Sequence, residues 1–201
     1  RLSRLSRIVS LATPALMLAA ASQISIAAQT QVNIGTGKDP NLAAQIVIAR
    51  EKGYFKEAGL DVDVKYFPSG GDLMTAMIGG SVAVGASGAT PVTTLRARPY
   101  PIRIVSQISD ISGAQQIIVK QTLKNIDELY GKKIAIMRGT ASEALFNSFV
   151  KAYGFDANKV ELVNMAPAEM LASFARGTVD AIAVWEPNTT RARKSSSGKV
   201  L

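Results

Sequence analysis

Neither cysteine nor histidine occurs anywhere in this chain of 201 residues. Without cysteine there is no disulfide, no thiolate metal site, no thiol nucleophile and no N-terminal cysteine to carry a lipid anchor. Without histidine the commonest general base and the commonest zinc ligand are gone as well. Serine-lysine chemistry is left open, but no serine motif supports it. Aromatic residues are few, with one Trp in the chain, and no basic stripe interleaves with them as a nucleic-acid surface would require. The loop GTGKDP at 35–40 lacks the four-residue spacing before Gly-Lys-Ser/Thr that makes a phosphate-cradling P-loop. No stretch is charged enough to imply disorder. These absences lead us to expect no enzyme, no cofactor, no metal and no nucleic acid.

What the chain does have begins with a leader-like start. Arg1, Arg4 and Arg7 form a basic segment, residues 8–21 an apolar one, and Ser25-Ile26-Ala27-Ala28 a small-residue cleavage site before Gln29. The apolar run falls short of the roughly 20 residues of a membrane span, and Pro14 interrupts it. Residues 1–28 therefore read as a secretory signal, which implies export to the periplasm. The formal charge of +8 less the leader's three arginines leaves +5. Four cations, Arg191, Arg193, Lys194 and Lys199, crowd the last eleven residues, and the rest is close to balanced. A modest positive excess suits a small anion but bears on steering, not on a site.

The stretch MLASFARGTVDAIAVWEP at 170–187 reads as a helix, a left-handed glycine cap at Gly177, and a buried strand ending on Trp185 and Glu186. At a constant offset of 97 residues, LMTAMIGGSVAVGAS at 73–87 repeats it, with Gly80 in the place of Gly177. The units before each copy, at 32–54 and 133–155, also match in kind: strand, glycine loop, helix, glycine stop. Two copies are too few for a solenoid. The alternatives are generic βαβ units or two similar α/β lobes facing each other. Periodicity and caps predict strands at 31–35, 61–67, 81–86 and 102–108, then 116–120, 133–137, 160–165 and 179–184. Helices are expected from Pro40 behind the Asp39 cap, at 54–60, from Asp72, from Thr90-Pro91, at 126–130, at 140–153, from Pro167 and at 188–194, with a strand starting at 199–201.

GYFKEAGLDVDV, PSGGDLMTAMIGGSVAVGASGATPV, VSQISD, KKIAIMRGT, ELVNM and VDAIAVWEP together resemble the periplasmic substrate-binding proteins of ABC importers for nitrate, aliphatic sulfonates and taurine. The likeness runs in order through 31–201. It does not fix a ligand, because relatives also bind bicarbonate, aromatic sulfonates and pyrimidine precursors of thiamine. The resemblance implies a two-lobed, type II periplasmic-binding-protein fold, each lobe a mostly parallel sheet flanked by helices, with the ligand in the cleft and closure by hinge bending. It places lobe 1 at 29–112 and lobe 2 at 113–201. In such a fold the chain returns to complete lobe 1, so the resemblance also implies a truncation, an incomplete lobe 1 with the 102–108 strand short of a neighbour, and poor stability of the fragment alone. It implies ABC permease and ATPase subunits as partners of a monomeric receptor. Relatives that make a pyrimidine precursor need a histidine, which this chain lacks. An effector lobe of a LysR-type regulator shares the architecture, but the leader stands where its helix-turn-helix belongs. The ligand domain of a sensor is a third reading.

A sulfonate or nitrate asks for donors, and helix N-termini supply them as free N–H groups at the positive dipole end. Three helix starts are expected at the cleft: Lys38-Asp39, Gly70-Gly71 and Arg138-Gly139-Thr140. In the family the loop after the first strand of lobe 2 contacts ligand, which maps to Gly139, Thr140 and Ala141. Thr140-Ala-Ser-Glu143 equally reads as a capping box that satisfies the helix by itself. Ser87, Gly88 and Thr90 end one strand and open the next helix. Gln107 ends the 102–108 strand with an amide that both donates and accepts. Trp185 is expected to wall the cleft. Glu186 is awkward for a bare anion, and is expected either to meet a ligand amine, as in taurine, or to brace the backbone at the hinge.

Overall fold

Asp39 followed by Pro40 stops the first strand and starts the first helix in a single step. The Asp39 side chain accepts from Asn41 N, and proline fills the first helical position, where an N–H has no use. The same economy recurs through residues 29–201, which the computed structural model describes. The leader reading lies outside the described residues. The N-terminal lobe comprises β1 (Thr30–Gly37), α1 (Pro40–Glu51), α2 (Tyr54–Glu57), β2 (Leu60–Phe67), α3 (Gly70–Ile78), β3 (Val84–Ala86) and α4 (Ala89–Arg96). The C-terminal lobe comprises β4 (Gln115–Lys120), β5 (Lys133–Ile136), α5 (Ala141–Tyr153), β6 (Glu161–Asn164), α6 (Pro167–Arg176), β7 (Ala181–Trp185), α7 (Asn188–Ser195) and β8 (Gly198–Val200). A 3-10 turn at Ser112–Ala114 leads from one to the other.

The two sheets share one topology. Strands run β2-β1-β3 in the first and β6-β5-β7 in the corresponding part of the second, all parallel. The second adds β4 antiparallel to β7 and β8 antiparallel to β4. The 97-residue repeat holds bond for bond. Ser81 N donates to Ala76 O at 3.1 Å and Thr178 N to Ser173 O at 2.9 Å, while Gly80 N and Gly177 N reach Met77 O and Phe174 O, both at 3.1 Å. Even the hydroxyls agree: Ser81 Oγ to Ala76 O at 3.0 Å and Thr178 Oγ1 to Ser173 O at 3.1 Å. Gly80 and Gly177 both hold φ above +70° (73° and 76°), the left-handed turn at which a side chain is strained.

Parity along β4 splits the C-terminal core. Ile117 and Val119 face Leu129, Ile134, Phe146 and Phe149 on one side, and Ile118 faces Met170, Phe174, Ile182 and Val184 on the other. A fully buried side chain of this size contributes about 1.5–3 kcal/mol, so this lobe is well anchored. The N-terminal lobe gathers one smaller cluster around Leu73, Met74, Val82 and Leu95. Its α1 buries just Ala43.

The 102–108 strand is not formed. That segment takes no regular structure, and Ile104 and Val105 are 66% and 88% exposed. None of the three strands of the first sheet pairs with it, and an extended chain becomes a strand only through a partner's backbone. It is tied down instead by Gln45 Nε2 donating to Ile108 O at 3.2 Å and Ser109 Oγ to Asn41 O at 3.0 Å. β3 is also shorter than the expected 81–86, because pairing with β1 begins in earnest at Val84.

Candidate functional site

The parallel strands of both sheets end toward one opening, as in open α/β sheets. The opening is a cleft of about 670 Å³ walled by both lobes. The starts of six helices meet there. α1 brings Lys38, Asp39 and Asn41, α3 brings Ser69 and Gly70, and α4 brings Ser87, Gly88 and Pro91. From the other lobe α5 brings Thr140 and Ala141, α6 brings Ala166 to Ala168, and α7 brings Pro187, Asn188 and Arg191. Tyr66, Phe67, Leu73, Met137 and Trp185 supply the apolar part of the wall.

Of the residues singled out from sequence, Lys38, Asp39, Gly70, Ser87, Gly88, Thr140, Ala141 and Trp185 line this cleft. Gly71, Thr90, Gln107, Gly139 and Glu186 do not. Gln107 misses because the strand meant to present it does not form, and it bends back to Ser109 O instead. Gly71 lies one residue past Gly70, and Thr90 sits between the lining residues Gly88 and Pro91 without lining the opening itself. Gly139 takes a left-handed turn (φ 71°) and gives its N–H to Glu143 Oε2 at 2.8 Å.

The helix starts differ in how their donors are capped. In α5 the Thr140 hydroxyl accepts from Ser142 N at 3.2 Å and donates to Met137 O at 2.7 Å. The expected box is thus shifted, with Glu143 on Gly139, and the first helical N–H groups keep no intrahelical acceptor. In α3 Ser69 Oγ takes Asp72 N at 3.1 Å, and Gly70 lines the opening. α4 and α6 have no side-chain cap at all. The Ser87 hydroxyl is buried with no partner. Gly70 is required by space: a Cβ there would sit 2.4 Å from Pro91 Cγ and 2.8 Å from Ser87 Oγ.

The charged lining is Lys38 and Arg191 against Asp39. Asp39 spans the lobes. One oxygen accepts from Asn41 N at 2.8 Å and Asn41 Nδ2 at 2.9 Å, and the other accepts from Trp185 Nε1. Asn41 Nδ2 also donates to Glu186 O at 2.8 Å. Glu186 braces the crossing through its backbone, its N–H bonding Ala114 O at 3.0 Å. Its side chain turns onto its own helix, accepting from Thr190 N at 3.2 Å and Thr190 Oγ1 at 2.8 Å. The Glu186 carboxyl is held below the ordinary carboxylate range, first by the Thr189 hydroxyl and then, against burial, by Thr190. Thr189 Oγ1 is buried beside it and meets no partner in regular hydrogen-bond geometry, so its help is that of a nearby dipole.

Sequence reasoning missed the α6 start and Arg191. Ala166-Pro167-Ala168 carries no side-chain chemistry, and its signal was the proline at a helix start. Arg191 was counted with the tail's charge, whereas α7 places it one turn into a helix that opens on the cleft.

Among known proteins the chain is similar to the taurine-binding periplasmic protein of Escherichia coli, 29% identical over 185 residues, covering 92% of this chain and 57% of that one. It is 27% identical to a putative aliphatic sulfonates-binding protein of Bacillus subtilis, covering 78% of this chain and 49% of the relative. The chain spans about half the length of the curated relatives it matches. Its fold is that of the alkanesulfonate-binding protein SsuA from Xanthomonas axonopodis bound to MOPS, with TM-score 0.73, 24% identity, and 87% and 61% of the two chains covered. The nitrate-binding protein NrtA from Synechocystis gives TM-score 0.64 at 21% identity, covering 86% of this chain and 51% of that one. The family described as NMT1/THI5 like matches residues 40–200. That match takes in five of the six helix starts at the cleft whole and α1 from its first residue, and this chain therefore belongs to the NMT1/THI5-like family.

Proposed function

We propose that this chain is the capturing part of an exported solute receptor that binds a small oxyanion or sulfonate and hands it to an ABC permease driven by an ATPase subunit, working in the periplasm as a monomer and performing no chemistry. We further place the division between lobes at 112 and 113 and the ligand against Gly70, Ser87, Gly88, Thr140, Ala141 and Trp185. The observation that carries the reading is the convergence of six helix starts on one cleft. Their N–H groups and dipoles favour negative charge without needing many cations, and two lobes of matching topology give that cleft a means of closing. The aromatic and aliphatic walls favour an anion with a hydrocarbon part over a bare one. The relatives named for taurine and alkanesulfonates support the same class.

The test is a thermal-shift and calorimetric screen of the full-length protein against taurine, alkanesulfonates, nitrate, bicarbonate and thiamine-precursor pyrimidines. A sulfonate at one hundred times its Kd is expected to stabilise the protein by about 2.7 kcal/mol. A response to the pyrimidine alone would replace the proposal with the receptor reading for a thiamine precursor.

A further inference from the structure

Asp39 is the one carboxylate among the cleft-lining side chains, set amid helix starts arranged for an anion. We propose that Asp39 and Trp185 together form an ammonium subsite, so that the ligand is a zwitterion with an amine a short carbon chain away from its sulfonate. The inference rests on the sulfonate reading above and narrows it.

The charge on Asp39 is more than its visible bonds require. A carboxylate has about four lone-pair sites. Asn41 N, Asn41 Nδ2 and Trp185 Nε1 use three, which leaves one for a further donor. All three donors are neutral, and none of the ion pairs among the described residues includes Asp39. Helix capping does not call for the charge, since Asn and Ser cap as well as Asp, and a neutral oxygen also accepts from an indole N–H, though more weakly. For a bare anion the charge is repulsive. For an aminosulfonate it is an anchor. The ammonium would take the fourth lone-pair site, with the Trp185 indole beside it offering a ring face to the cation. Asp39 belongs to one lobe and Trp185 to the other, so a bound amine would touch both. The sulfonate would then lie toward Ser87 and Gly88 on one wall and Thr140 and Ala141 on the other.

Calorimetric titration of the full-length protein and Asp39→Asn with taurine and with ethanesulfonate tests this, because the two ligands differ by the amine alone. Asn keeps the cap and an acceptor for Trp185, and a melting curve of the variant reports whether the fold is intact. Wild type is expected to prefer taurine by about tenfold or more, the scale of a hydrogen bond to a charged group. In Asp39→Asn that preference should collapse, with taurine weaker and ethanesulfonate tighter. Equal affinities in wild type, or a preference unchanged in a folded Asp39→Asn, overturn the subsite and leave the sulfonate reading standing. Failure of wild type to bind either ligand overturns both.

Discussion

A carboxylate that turns onto its own helix and does not line the cleft is poorly placed for a ligand. Glu186 receives the Thr190 hydroxyl and N–H, and the Thr189 hydroxyl first, then Thr190, hold its carboxyl below the ordinary range against burial. A depressed carboxylate stabilises the fold above its unfolded value of roughly 4.3 and loses that contribution as pH falls through the lower folded value. Glu186→Gln is therefore expected to loosen α7 by about 0.5 kcal/mol, a value discounted for solvent exposure. It should leave the discrimination between taurine and ethanesulfonate where it was. A loss of taurine preference in calorimetry would return Glu186 to the ligand. Gly70 is constrained by space, not by charge. A methyl group there meets Pro91 Cγ at 2.4 Å and Ser87 Oγ at 2.8 Å, so α3 and α4 must part. Gly70→Ala should lower stability by about 1–3 kcal/mol and weaken sulfonate binding more than tenfold, because the parted helices are two walls of the cleft. A melt and a titration check the two halves separately.

Among the elements, α5 is held at the cleft by one hydroxyl. Ser142 is 1% exposed, and its Oγ donates to Ala183 O at 2.6 Å while accepting from Met137 N at 2.9 Å. Helix, β7 and the end of β5 thus share a single atom. Ser142→Ala would orphan a part-buried N–H and remove a donor from a buried C=O, and a loss of about 1–3 kcal/mol in denaturant unfolding is expected. Behind the same sheet, Asp180 accepts from Lys120 Nζ at 2.8 Å and Lys133 N at 3.1 Å, joining β4, β5 and the entry to β7. Burial alone would raise its pKa, but the Lys120 and Lys133 bonds outweigh it and hold the carboxyl below its ordinary value. Its stabilisation is present above roughly pH 3.9 and lost as pH falls through the lower folded pKa. Asp180→Asn should thus lower stability at neutral pH and flatten the acid limb of a stability-against-pH curve; an unaltered limb would remove Asp180 from that role. These elements were legible in sequence because their signals are local. Asp39-Pro40, Thr140 with Glu143, and Gly80 and Gly177 each specify a helix end within a few residues. The failures were not local. Residues 102–108 have strand composition, yet whether they pair depends on a neighbour that no short window contains. Gln107 was lost from the candidate site with them. Arg191 and the α6 start were invisible as cleft-lining groups until the sheet order showed which helix ends share an opening.

At the scale of the whole molecule, polar contacts between the two lobes among the described residues include two made by cleft-lining side chains. Trp185 Nε1 bonds Asp39, and Asn41 Nδ2 bonds Glu186 O. On the proposed function, a ligand in the cleft would act on groups that bridge the lobes, so capture and closure would be one equilibrium. Trp185→Phe keeps an aromatic wall and removes the indole donor. A hydrogen bond to a charged acceptor contributes about 1.5–3 kcal/mol, so the open population of the free protein should grow by tenfold or more. Small-angle scattering should show a larger radius of gyration for free Trp185→Phe than for free wild type. The two should converge once ligand is saturating, with Kd raised in proportion to the lost closed fraction. Because Trp185 is the chain's one tryptophan, its emission in wild type should change on taurine binding, as the ammonium alters the surroundings of the indole. An unchanged radius in free Trp185→Phe, together with unchanged emission in wild type, would show that the lobes are set by their apolar contacts and that the Asp39–Trp185 bond merely follows.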